Sequence, residues 1–330
     1  MPSVRLFGFI ACALAASLAT PPVDAQQKTV LRFSSAAPPA DFLARSQQIF
    51  KTEVEKSVPT IDVQNFPGSQ LFRQGTEVPA LQRGNLEMST MTTFEVAQQI
   101  PEYGFFNRAY LFRDYEHAVK VFASPLGKAY TDTVAAKMGI VILAPTYLGT
   151  RQVNLRAARN VTSPADLAGL KMRMPGGPDW LLLGQAIGVT PTPMAMPEIY
   201  LALQTGTIDG QENPPTIMSA AKFHEVTKQL VITAHLVQPI FIAIAKPFWD
   251  KLAAEQRTVV QTAAIASAKW NDEQRLNDEK TVIDGLAAKG LTVVRPDLAA
   301  FRANADKVYA SADAAKPWDR KMMDEVMRVR

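Results

Sequence analysis

Between residues 29 and 91 the chain switches repeatedly between two hydrophobic periods, and this alternation limits its fold more than any other feature. Val30-Leu31-Arg32-Phe33, within Thr29 to Ser35, and Ile61-Asp62-Val63-Gln64-Asn65-Phe66 read as strands. Between them, Phe42, Leu43, Ile49, Phe50 and Val54 recur at helical spacing from Phe42 to Val58. Gly75 to Arg83 reads as a second helix, and Leu86 to Met91, after Gly84, as a third strand. Strands separated by helices are the order of an α/β architecture, because parallel strands need a crossover and a helix supplies it. Farther on, helix-like sequence from Ser124 to Lys137 runs into Gly139-Ile-Val-Ile-Leu143. That unbroken apolar run is expected of a strand covered on both faces, in a parallel-type sheet.

The pattern changes near Leu148. Thr162-Ser163-Pro164-Ala165-Asp166-Leu167 reads as a capped short helix, and Leu170 to Met174 as a strand stopped by Pro175-Gly176-Gly177. Val237 to Ala245 is again strand-like. Glu255 to Lys289 contains no proline and no glycine before Gly285, so one very long helix is expected, long enough to bridge two domains. Helices over Leu298 to Ala310 and Asp319 to Val329 complete the chain. At 330 residues two domains are expected. With the crossing placed just before residue 149, residues 26–148 plus 236–275 form domain I, and residues 149–235 plus 276–330 form domain II.

The first 25 residues are set apart as a signal peptide: Arg5, an apolar stretch from Leu6 to Ala19, Pro21-Pro22, and Ala25 before Gln26. The stretch is shorter than the roughly 17–25 residues that span a bilayer, so the mature chain is expected in the periplasm with no stable membrane insertion. The single cysteine, Cys12, falls in this leader, with a lipoprotein cysteine as the alternative reading. Three histidines (His117, His224, His235) stand far apart and make no zinc cluster. A net charge of +4 from scattered basic residues does not mark a nucleic-acid binder.

Enzyme signatures are missing. The sequence has no G-x-S-x-G elbow, Gly-rich phosphate loop, H-E-x-x-H or C-x-x-C, and nothing in it calls for a metal or cofactor. The informative block is Gly169 to Pro215, GLKMRMPGGPDWLLLGQAIGVTPTPMAMPEIYLALQTGTIDGQENPP. Through Gly169 to Pro175, Pro191 to Tyr200 and Ala202 to Pro214 it is similar to the signature region of the solute-binding proteins of TRAP transporters, the DctP-type family. Phe66-Pro-Gly-Ser-Gln-Leu71, Leu81-Gln-Arg-Gly84, Gly149-Thr-Arg-Gln152 and Phe223-His-Glu-Val226 extend the resemblance over nearly the whole mature chain.

Arg173 stands at the C-terminal end of a predicted strand, where open α/β sheets present ligand-contacting groups, and its fork can hold a carboxylate through two parallel hydrogen bonds. The resemblance implies that Arg173 makes the salt bridge to a ligand carboxylate and that Asn213, after the strand-like Thr207 to Gly210, bonds the same end. Arg151 matches a second arginine near the ligand, ranked below Arg173 because an exposed strand arginine is ordinarily solvated. Met196 takes the place of an aromatic residue found in many members. Glu198, Tyr200 and Gln204 read as helix initiation and packing. In the first domain Ser35, Ala36, Ala37, the Thr92-Thr93-Phe94 segment and the Asn107-Arg108-Ala109-Tyr110 segment are expected at the cleft. Arg108 meets either a second carboxylate or solvent, and Trp180 lines either the pocket or the core.

The fold implied is two-lobed, of the periplasmic binding protein kind, with a ligand cleft between the domains and a long helix spanning both. The function implied is capture of a small organic carboxylate and delivery to the small and large TRAP membrane subunits, driven by an ion gradient and without a prosthetic group. A binding component of an ABC importer or sensor system is the first alternative, and a periplasmic carboxylate-acting enzyme the second.

Overall fold

The computed structural model describes residues 28–330, so the expected signal peptide and Cys12 lie outside the described residues. The strands are β1 (Thr29–Ser34), β2 (Ile61–Phe66), β3 (Met88–Thr92), β4 (Ile140–Leu155), β5 (Lys171–Met174), β6 (Thr190–Pro193), β7 (Gly210–Asn213), β8 (Gln229–Ala245) and β9 (Thr292–Val294). The first helices are α1 (Phe42–Ser57), α2 (Glu77–Gln82), α3 (Thr93–Ala97), α4 (Tyr115–Ala123), α5 (Pro125–Met138) and α6 (Pro178–Ala186). They are followed by α7 (Ile199–Thr205), α8 (Pro215–Ala220), α9 (Lys246–Trp249), α10 (Ala254–Asp278), α11 (Val282–Ala288), α12 (Leu298–Ser311) and α13 (Arg320–Arg328).

The strands form one sheet in the order β2-β1-β3-β8-β4-β7-β5-β6, with β9 beside β8. The expected strand–helix–strand opening is present: β1 pairs in parallel with β2 and β3, and α1 crosses between β1 and β2. Asp41 caps α1 by accepting the Leu43 N–H at 2.9 Å. Phe50 and Val54 of the helix pack with Leu31, Phe33, Ile61 and Val63 beneath the first lobe. In the second lobe β5 pairs in parallel with β6 and β7, and Ile199, Leu203, Phe223 and Leu286 form a separate core.

Three expectations change. The apolar run from Gly139 opens a 16-residue strand, β4, that pairs antiparallel with both β7 and β8. Such a run reports cover on both faces, here from helices and neighbouring elements, and carries no information on strand direction. The strand-like stretch before Asn213 is shifted, for β7 runs from Gly210 to Asn213 and Asn213 is its last residue. The single helix expected from Glu255 to Lys289 is two, α10 and α11, parted at residues 279–281. Asn, Asp and Thr near the break are weak helix formers. The Glu279 carboxylate is also drawn off to the Tyr147 hydroxyl (3.0 Å) and the Thr150 N–H (3.1 Å).

The long strands β4 and β8 run through both lobes. Ile140 to Thr146 face Ile240 to Ala245 of β8 at one end, and Val153 to Leu155 face Gln229 to Val231 at the other. Between these stretches β8 bulges, and Ala234, at φ 42°, donates its N–H to Gln152 Oε1 at 2.7 Å. On β4, Gly149 has φ 124°, and a Cβ there would fall 2.5 Å from Cβ of Pro214. Only glycine satisfies both conditions. Helix α10 reaches both lobes as well: its buried Arg275 pairs with Asp41 of the first lobe and donates to Thr216 Oγ1 of the second at 2.9 Å.

Candidate functional site

The lobes meet over a cavity walled by residues of both. Nine of the fifteen residues placed at the cleft from sequence line it: Ala36, Ala37, Thr92, Phe94, Arg151, Arg173, Trp180, Met196 and Asn213. The other six do not. Thr93, the first residue of α3, turns away and donates to Asn107 Oδ1 at 2.7 Å. Arg108 pairs with Asp306 and lies 5.1 Å from the Tyr309 ring centroid on α12, an attraction that holds it away from the cavity. The rest of its segment is likewise structural, since Ala109 donates its N–H to the Tyr309 hydroxyl and Asn107 is buried against Thr93. Ser35 is buried and caps the turn, accepting the Ala37 N–H at 3.1 Å.

Strand β5 carries Arg173 beside Gln211 of β7 and Thr192 of β6. The residue is 1 % exposed. Its Nε donates to the Met194 carbonyl at 2.8 Å and its Nη2 to Gln74 Oε1 at 2.9 Å. The same Gln74 oxygen accepts the Met196 N–H at 2.8 Å, so a first-lobe side chain spans two second-lobe donors. Among the described residues no carboxylate forms a salt bridge with Arg173. Burial pushes its guanidinium down to about 9; the Glu212 charge resists this and the Arg151 charge adds to it.

Arg151 is as deeply buried but fully partnered. Its Nη2 lies 2.6 Å from Glu212 Oε1, its Nε pairs with the other Glu212 oxygen, and its Nη1 donates to Gln238 Oε1 at 2.7 Å. The guanidinium sits 4.8 Å from the Trp180 ring centroid. Trp180 therefore serves both roles considered for it, lining the cavity and packing beneath Arg151. The solvated arginine of the sequence reading is replaced by a buried ion pair. Burial alone would raise the Glu212 carboxyl, but Arg151 and the His235 ring, 3.1 Å away, hold it below its ordinary value. His235 itself is pushed down by burial, against the pull of Glu212.

Asn213 donates to Gln211 Oε1 at 2.7 Å and turns toward Met196, whose sulfur is 3.9 Å away. Sequence reasoning missed Gln74, Glu77, Glu95 and Gln238, all of which line the cavity. For Glu95 a signal existed. Thr92-x-x-Glu95 is a capping box, and the carboxylate accepts the Thr92 N–H at 2.8 Å and hydroxyl at 2.5 Å. Glu77 accepts the Gly75 N–H at 2.8 Å. Burial, reinforced by Glu95, pushes the Glu77 carboxyl up to about 8, and burial raises Glu95 despite its bonds to Thr92.

Among the described residues no cluster of His, Cys, Asp or Glu is placed to hold a metal, and no helix is long and apolar enough to cross a membrane. The arrangement can hold an anion: two buried guanidiniums, one of them lacking a carboxylate, in a cavity walled by both lobes.

Comparison with known proteins gives a consistent answer. Residues 33–315 match the DctP model, described as bacterial extracellular solute-binding protein, family 7. A TRAP periplasmic solute-binding protein from Roseobacter denitrificans, solved with bound 3-deoxy-D-manno-oct-2-ulosonic acid, is 39% identical; the match covers 92% of this chain and 100% of that one, with a TM-score of 0.88. A second, from Polaromonas and bound to D-erythronate, is 31% identical over 92% of this chain and 99% of that one, with a TM-score of 0.85. A solute-binding protein of Verminephrobacter eiseniae is 35% identical over 74% of this chain and 73% of its own length.

Proposed function

Because the chain belongs to bacterial extracellular solute-binding protein family 7, we propose that it captures a small organic acid between its lobes and delivers it to the small and large membrane subunits of a TRAP transporter. One observation carries the acid: Arg173 is buried at the cavity and, among the described residues, pairs with no carboxylate. Isolated charge in a protein interior is costly and is normally paired. A ligand carboxylate arriving at Arg173 supplies the missing partner.

The edge of the guanidinium bearing Nε and one N–H of Nη2 is taken by Met194 and Gln74. The Nη1/Nη2 end of the fork is left to hold a carboxylate through two parallel hydrogen bonds, a geometry an ammonium cannot copy. Asn213 adds a second polar group to the lining. Relatives solved with 3-deoxy-D-manno-oct-2-ulosonic acid and D-erythronate support this reading, each ligand being a small acid.

The cavity draws on both lobes, read as residues 26–148 plus 236–275 and 149–235 plus 276–330, so a ligand that touches both walls binds the closed form better than the open one. This differential affinity is what closes a two-lobed binder and gives a membrane partner a distinct surface to read. Residues 1–25 are read as the leader that exports the chain to the periplasm.

A thermal-shift panel of organic acids tests the class, since a ligand at about 100 times its dissociation constant adds about 2.7 kcal/mol. With the best acid found, Arg173→Ala is expected to weaken binding by about 3–5 kcal/mol, more than a hundredfold, and Arg173→Lys to fall well short of the parent. Calorimetry placing Arg173→Ala within a few fold of the parent would sink the assignment.

A further inference from the structure

We propose that Arg73 and Glu198 form a charged clasp across the mouth of the cleft, an ion pair made only while the lobes are closed, which slows release of the bound acid without touching it. The inference rests on the reading of the chain as an acid binder whose lobes close over the ligand. Arg73 belongs to the segment between β2 and α2 on the first lobe, and Glu198 directly precedes α7 on the second, 125 residues farther along. Arg73 Nη2 lies 2.6 Å from Glu198 Oε1, and its Nε donates to the same oxygen at 2.9 Å. The next residue makes a second crossing, for Gln74 Oε1 accepts from Arg173 and from the Met196 N–H. Gln74 and Met196 line the cavity, whereas the side chains of Arg73 and Glu198 are 61 % and 47 % exposed. The ion pair is thus the outer of two contacts between the same segments, at the solvent edge of the cleft.

The first-lobe half of the clasp is held by its own lobe. Leu71 and Phe72 pack against the main core, and Thr76 closes a turn onto the Arg73 carbonyl with its N–H at 2.9 Å and its hydroxyl at 2.7 Å. Among the described residues, Arg73 and Glu198 each form a salt bridge only with the other. A hinge motion that parts the lobes separates residues fixed on different ones, so the pair stabilises the closed form alone. While the open form dominates without ligand, such a contact raises the apparent affinity by the factor it adds to closure. Opening has to break it, so the gain appears in the rate of release. Exposed ion pairs are worth about two- to fivefold in an equilibrium constant, and salt screens them. The buried contact between Arg173 and a ligand carboxylate is screened much less.

A double-mutant cycle over Arg73→Gln and Glu198→Gln provides the test. Dissociation rates and affinities are read for the tightest-binding acid of a panel that includes 3-deoxy-D-manno-oct-2-ulosonic acid and D-erythronate. The cycle is needed because the Glu198 charge also acts on Arg173, favouring its protonated form, and the cycle subtracts that separate effect. In about 20 mM salt, Arg73→Gln is expected to release the acid about threefold faster, and Arg73→Lys to stay nearer the parent. The coupling between the two glutamine substitutions is expected to be about threefold there and to fall below about 1.5-fold in about 1 M salt. Both side chains are exposed, so each variant is expected to unfold at the parent's midpoint. Independent effects of the two substitutions in low salt, or a coupling that high salt leaves unchanged, overturn the clasp; a hundredfold loss in Arg173→Ala then still upholds the anchor. Failure of every acid in the panel to bind the parent overturns the acid-binding reading and the clasp with it.

Discussion

Arg151 and Arg173 sit on strands separated only by β7, are almost equally buried at 2 % and 1 %, and line the same cavity. Their partners differ. Arg151 has a carboxylate in Glu212, an amide oxygen in Gln238 and the face of Trp180. Arg173 has two neutral oxygens, Met194 O and Gln74 Oε1. A buried arginine with its own counter-ion is part of the framework. One without is a charge the fold holds ready for something that binds. The difference lies in the partners brought by tertiary structure, and neither strand sequence contains it.

The largest effect expected from this contrast is on stability. Arg151→Ala strands the fully buried Glu212 without its arginine partner and is expected to cost about 3–5 kcal/mol, read as a lower denaturation midpoint at unchanged slope. A loss below about 1 kcal/mol would mean that Arg151 and Glu212 are not a framework pair.

Arg173→Met is expected to act in the opposite direction, since it replaces a buried, unpaired charge by an apolar chain of comparable length. Without ligand, a gain of about 1–4 kcal/mol is expected near pH 7, together with loss of acid binding. The pH dependence supplies a second readout. Arg173 is pushed down to about 9 in the folded chain, so above that pH the unfolded chain holds the proton better than the folded one. The penalty is complete below about pH 9 and fades as pH rises toward the ordinary arginine value. The stability advantage of Arg173→Met over the parent should therefore be constant through neutral pH and shrink in alkali. An advantage flat through the alkaline range would mean that the buried charge is not its source.

Much of this was legible in the sequence, and the remainder was illegible for a definite reason. The strand–helix periods located β1, α1 and β2 within a residue or two, because each buries one face and so writes its period into the chain. The block from Gly169 to Pro215 led to Arg173 and Asn213, both at the cavity. Gln74, Glu77 and Glu95 were missed because they reach the site from the first lobe, nearly a hundred residues away in sequence, and Gln74 and Glu77 stand in an ordinary polar turn and helix start. The break between α10 and α11 was hidden for the same reason: the Glu279 carboxylate at the end of α10 bonds Tyr147 and Thr150, which lie far off in sequence. Arg108 misled because an arginine in a connecting segment looks alike in sequence whether it faces a ligand or, as here, Asp306.

The contrast can also be erased at one atom. Gln74 Oε1 already lies 2.9 Å from Arg173 Nη2, so Gln74→Glu places a carboxylate oxygen where an amide oxygen stands, with hardly any change in volume. Arg173 then acquires a counter-ion of its own and comes to resemble Arg151. Two consequences follow from the same charge. The unliganded protein becomes more stable, because the buried guanidinium is paired. Acid binding becomes weaker, because the ligand carboxylate meets a guanidinium already neutralised and an added negative charge across the cleft. A loss of about tenfold in affinity, roughly 1.4 kcal/mol, is expected. Gln74→Ala serves as the control, since it removes the bridge to Met196 without adding charge. If both variants weaken binding equally, Gln74 acts only by joining the lobes; if only Gln74→Glu raises the stability of the unliganded protein, the missing counter-ion is what separates the two arginines.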